Sequence, residues 1–159
     1  MIVKTLSFAA LLSLFILIFI GGYVSASGVG LTCPKWPLCP AGFVPMNEFI
    51  IEYFHRSVAA TTALLVISTM AFTLKSKITP KGMKIASVIG SGAAIGQITL
   101  GAVVIIERLH AILVTVHLGL GLILFAMILM TVLYSFKLPT NKKKATSAST
   151  SSLQTTTKS

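Results

Sequence analysis

Charge is what this sequence has least of. Charged residues fill 10% of its 159 positions, against about 25% in ordinary soluble domains, and a water-facing globular fold is thereby excluded. The scarcity is uneven, because charges gather at a few points and leave long apolar runs between them, as membrane proteins do. Proline is missing from every one of those runs. Cysteine is limited to two residues, which without a neighbouring histidine pair is an incomplete ligand set for zinc.

What is present is apolar: 55% of the residues, with a mean hydropathy of +0.94. A span needs about 20 mostly apolar residues at 1.5 Å each. Four segments qualify, about 5–24, 50–74, 85–106 and 111–136. Only helices satisfy their own backbone polar groups in lipid, so the sequence predicts an all-α, integral membrane four-helix bundle over 1–136. The opening run, with Lys4 before it and Val24-Ser25-Ala26 after it, has the flanks of a cleavable signal peptide. Its apolar stretch is longer than the 7–15 residues of such a core, so it reads as the first span.

The net charge of +10 raises nucleic-acid binding, yet the basic residues form no single patch. Lys75, Lys77, Lys81 and Lys84 share one short loop, and Lys137, Lys142, Lys143 and Lys144 follow the last apolar run. Lysines beside spans mark the cytoplasmic side, and they also suit contact with anionic lipid headgroups. Both termini are therefore expected in the cytoplasm and the 25–49 loop outside, with no nucleic-acid partner. Residues 137–159 are basic and then Ser/Thr-rich, and read as a disordered cytoplasmic tail.

The outer loop carries Cys33 and Cys39 among Pro34, Trp36, Pro37 and Pro40. Outside the cytoplasm a disulfide between them persists. It reads either as a staple closing a short loop or as a redox-active pair, although dithiol catalysts usually space their cysteines more closely.

Ionisable side chains in spans are costly, so each one is a functional candidate. The second span opens with Glu52, His55 and Arg56 on one helical face, where Glu52 and Arg56 also suit an ordinary ion pair. His117 lies about two turns inside the fourth apolar run. A lone membrane histidine commonly bonds a neighbouring helix. Two on different helices at similar depth point to something shared, and imidazole is the usual axial ligand of haem iron. Gly90, Ser91, Gly92, Gly96, Gly101, Gly119 and Gly121 permit close helix approach or room for a flat ring. Arg56 and Arg108 stand at the outer boundary, suited to propionates, and His110 reads as interfacial.

Taken together, Gly21-Gly22, Gly28, Gly30, Cys33, Trp36-Pro37-Leu38-Cys39, Glu52-x-x-His55-Arg56 and His117-Leu118 resemble the first half of the haem A synthase (CtaA) family over about residues 20–130. The resemblance implies an oxidoreductase in the cell membrane that converts the C8 methyl group of haem O to a formyl group, supplying haem A to terminal oxidases. It implies His55 and His117 as axial ligands of haem b or of the substrate haem O, Glu52 as the catalytic carboxylate, and Cys33 with Cys39 as the outer-loop pair. A carboxylate one turn before a ligating histidine is placed to stabilise or capture a developing cation. The usual family member has eight helices in two halves, each with its own histidine pair. This chain shows one such pair, so association of two copies is expected, with a haem O synthase and a terminal oxidase as further partners. A b-type cytochrome or haem carrier needs the histidines but not Glu52 or the cysteines. A membrane thiol-oxidoreductase or oxidase-assembly factor needs the cysteines and leaves the histidines idle.

Overall fold

The computed structural model describes residues 2–31 and 50–138. Within them the chain forms four helices, α1 (Ile2–Ala26), α2 (Ile50–Lys75), α3 (Lys81–Ile106) and α4 (Ala111–Phe136), with one 3₁₀ turn at Val29–Leu31. Every helix is long and apolar enough to cross a membrane. At 1.5 Å per residue each runs for roughly 38 Å, more than the hydrocarbon core of a bilayer requires.

The helices form an antiparallel ring in which α1 packs on α2 and α4, and α3 packs on α2 and α4. The contacts within the α1–α2 and α3–α4 hairpins are the more extensive. In this ring α2 and α4 run parallel and face each other diagonally, so their first turns lie at the same end of the bundle.

Side-chain size is distributed as lipid demands. Ala10, Leu14, Val66, Ala93, Ala94, Leu124 and Ile128 make the buried centre, whereas Phe19, Leu64, Ile106, Ile112 and Leu122 point outward at 67–69% exposure. Small residues let the backbones approach, which is the main attraction between helices in lipid. Several buried hydroxyls are accommodated locally. Thr62, Thr69 and Thr131 each donate to the carbonyl four residues earlier at 2.7–2.8 Å. Ser13 also meets Thr62 across the α1–α2 interface at 2.7 Å.

The two ends of the bundle differ. At one, Lys4 lies 3.9 Å from the centre of the Phe136 ring, a cation–π contact that ties the start of α1 to the end of α4. Helix α3 begins there at Lys81, a turn ahead of the apolar run expected from 85. Pro80 supplies the capping carbonyl to Met83 and Lys84, and lysines at a span boundary carry their charge to the headgroup layer.

At the other end α3 stops in a Schellman-type turn. The Leu109 amide donates to Val104 at 2.8 Å and the Arg108 amide to Ile105 at 3.1 Å, with Arg108 and Leu109 at φ 49° and 61°. Those values belong to the left-handed region that glycine usually fills. Packing holds them there. A Cβ on Gly30 would lie 3.2 Å from Val24 and 3.4 Å from Leu109, so Leu109 is tucked beneath the 3₁₀ turn at the end of α1. Cys33 and Cys39, with the expected disulfide, lie outside the described residues, as do most of the 25–49 loop and of the 137–159 tail.

Candidate functional site

The first turns of α2 and α4 build the site. Glu52 opens α2, where a carboxylate favours the positive end of the helix dipole, and it is only 2% exposed. Arg56, one turn on, donates to it from Nη2 at 2.5 Å. A buried carboxylate of this kind needs such a partner. The ion pair foreseen as the ordinary role of these two residues is therefore formed, and Glu52 stands one turn before His55 on the same helix.

His55 is the sixth residue of α2 and His117 the seventh of α4. Both imidazoles are thus about 8–9 Å into the bundle from the same end. His55 lies within electrostatic reach of both His117 and Arg56. Each ring rests on the glycine of its own hairpin partner. A Cβ on Gly21 of α1 would lie 3.1 Å from His55 Cε1, and one on Gly101 of α3 would lie 3.4 Å from His117 Cε1. The two hairpins therefore repeat one device: a histidine early in the second helix, seated on a glycine late in the first.

The Nδ1 atoms of both histidines are buried and have no hydrogen-bond partner among the described residues. Burying a polar atom without a partner is costly. No group of three or more His, Cys, Asp or Glu ligands occurs among the described residues. Two imidazoles from opposite helices instead match the axial pair of an iron whose remaining ligands belong to a porphyrin. The donor set and the glycine seats fit a haem.

Gln97 of α3 escaped the reading of charged and imidazole residues. Its Nε2 donates to the His117 backbone carbonyl at 2.9 Å, and its buried Oε1 has no partner among the described residues. A Cβ on Gly121 would fall 2.7 Å from the same Nε2. The sequence signal was an amide inside an apolar run, with glycines on the neighbouring span. Arg108 and His110 belong to the α3–α4 turn and their side chains are exposed. The structure thus brings Glu52, His55, Arg56 and His117 into one end of the bundle and sets Arg108 at its rim.

Fold and site together define a class: a multi-pass helical membrane protein with paired imidazoles inside one end of its bundle. The profile of the COX15-CtaA family, described as cytochrome oxidase assembly protein, matches residues 44–157. The chain belongs to this family. It is 33% identical over 133 residues to a "Heme A synthase" of Bacillus licheniformis, covering 82% of this chain and 44% of that protein. A "Heme A synthase" of Bacillus pumilus is 33% identical over 138 residues, with 81% and 44% covered. One from Bacillus cereus is 28% identical over 140 residues, with 86% and 45% covered. The chain therefore spans less than half the length of these relatives.

Proposed function

We propose that this chain takes part in haem A formation, as an oxidoreductase that converts the C8 methyl group of haem O to a formyl group. One observation carries the reading: His55 and His117 sit at equal depth on opposite helices with unsatisfied Nδ1 atoms, and the buried Glu52 lies one turn from His55. The names of the relatives support a part in haem A formation.

In this mechanism His55 and His117 would hold the haem by its iron. When bound, the haem supplies a redox-active iron and, as haem O, the methyl group to be oxidised. Glu52 acts at the substrate's edge, where its negative charge stabilises positive charge developing on the methyl carbon or captures that carbon covalently. Arg56 holds the carboxylate in place through their ion pair. Two successive two-electron oxidations, with electrons leaving to an external acceptor and oxygen entering from water, give a gem-diol that loses water to the aldehyde. Arg108 at the rim, with Arg56, serves the propionates.

Topology follows from charge. Lys75, Lys77, Lys81, Lys84 and Lys137 lie at the end opposite the histidines, and that end faces the cytoplasm by the positive-inside rule. The haem site and the Cys33/Cys39 loop then face outward. A second copy, a haem O synthase and a terminal oxidase are the expected partners.

Co-expression with a haem O synthase, followed by chromatography of extracted haems, tests the function. Haem A or its hydroxylated precursor is the expected product. Bound haem b without conversion would identify a b-type cytochrome or carrier instead. Glu52→Gln is expected to retain haem and to lose turnover by at least about a hundredfold, in line with removal of a main electrostatic contributor. Normal product yield from that variant removes Glu52 from the mechanism.

A further inference from the structure

In a helix the carbonyl of residue i is covered by the side chain of residue i+4, which lies above it on the same face. Gly121 is the i+4 residue for His117. With no side chain there, the His117 carbonyl is open to a neighbour, and Gln97 reaches it from α3. The fit is close, since any Cβ at 121 would come within 2.7 Å of the Gln97 Nε2. Gln97 and Gly121 thus form a matched pair joining α3 to α4 at the backbone of His117. The amide orientation is fixed, because only Nε2 can donate to a carbonyl. Oε1 is left as a buried acceptor without a partner, and His117 Nδ1 is a buried atom in the same condition.

We propose that Gln97 is a positioning residue for His117: clamped through the Gly121 notch, it fixes the rotation of α4 and thereby the direction of the imidazole. This rests on the haem-ligating role of His117 proposed above. Outer contacts that hold a ligating histidine in one direction support its affinity for the iron.

The test uses the full chain in detergent or nanodiscs with Gln97→Leu, Gly121→Ala and, as a control that removes an interhelical hydroxyl contact elsewhere, Ser13→Ala. In haem-free protein, nitrogen-15 resonances of the imidazoles are compared. In protein loaded with haem b, affinity, optical and paramagnetic-resonance spectra and midpoint potential are compared. Gln97→Leu and Gly121→Ala are both expected to shift the His117 resonances and leave those of His55 in place. Both are expected to weaken haem binding by about tenfold or more and to lower the low-spin fraction, while Ser13→Ala matches the parent. Should Gln97→Leu fail to fold, Gly121→Ala decides, since it keeps the amide and displaces it. Unmoved His117 resonances in both variants, or affinity and spectra equal to those of Ser13→Ala, overturn the proposal. A parent protein that takes up no haem defeats the haem reading alone, and the imidazole resonances of the haem-free protein still decide the clamp.

Discussion

Two glycines of different tightness set up a graded experiment on the histidines. At Gly21 an added Cβ meets His55 Cε1 at 3.1 Å, whereas at Gly101 the corresponding approach to His117 is 3.4 Å. The first is closer than ordinary carbon contacts, and the ring must move by some tenths of an ångström. The second is normal van der Waals distance. Gly21→Ala is therefore expected to weaken haem retention on the order of tenfold, the usual effect of disturbing a ligand's support, while Gly101→Ala stays near the parent value. Haem titration of both variants checks the order, and equal losses would contradict the seating described. At this scale the sequence was informative about His55 and His117 because an imidazole inside an apolar run is costly and conspicuous. It was silent about Gln97, since a neutral amide gives a weaker signal and acquires meaning only when Gly121, on another helix, is placed opposite it. The buried state of Glu52 was equally illegible, because position 52 is the third residue of a helix and its exposure depends on what packs over that turn.

The turn between α3 and α4 shows how an element's end is shaped by distant contacts. Each non-glycine residue in the left-handed region costs roughly 1–2 kcal/mol, and Arg108 and Leu109 occupy it in succession. Leu109 repays this by packing on Gly30 and Val24. Arg108 is exposed and has only its charge to justify its place. Arg108→Gly is expected to raise unfolding stability by about 1 kcal/mol while lowering haem affinity, and Arg108→Ala to lower affinity without the gain. Thermal unfolding of haem-free protein in detergent separates the two effects, and equal melting temperatures for the two variants would show that the turn carries no relievable strain. The helices themselves were legible from the apolar runs, as was the end of α4 before its lysine. The early start of α3 was not, because Lys81 and Lys84 look like loop residues until Pro80 is seen to cap a helix that carries them to the membrane surface. The left-handed turn was not legible either, since neither glycine nor asparagine announces it.

Across the whole molecule, charge and length each lead to a measurement. Among the described residues the lysines gather at one end and the histidine site at the other, so single cysteines introduced beside Arg108 are expected to react from outside with a thiol reagent that does not cross membranes, and ones introduced at 76–79 only after lysis. The reverse pattern would overturn the topology. On the proposed function, the His55/His117 pair bears on assembly. The chain spans 44–45% of its haem A synthase relatives and carries one His55/His117 pair. A reaction that removes electrons from a substrate haem benefits from a second haem nearby to receive them, and two copies side by side supply it without any new kind of site. If so, the proposed activity is expected to depend on encounter between copies and to fall more steeply than protein concentration when the protein is diluted into excess lipid. Joining two copies by a flexible linker that spans their separation makes the encounter intramolecular, with an effective concentration in the millimolar range for a short linker. The tethered form is expected to keep its specific activity under dilution where the untethered form loses it. Equal behaviour of the two, with full activity in the monomeric fraction of a sizing column, would show that a single bundle completes the reaction alone.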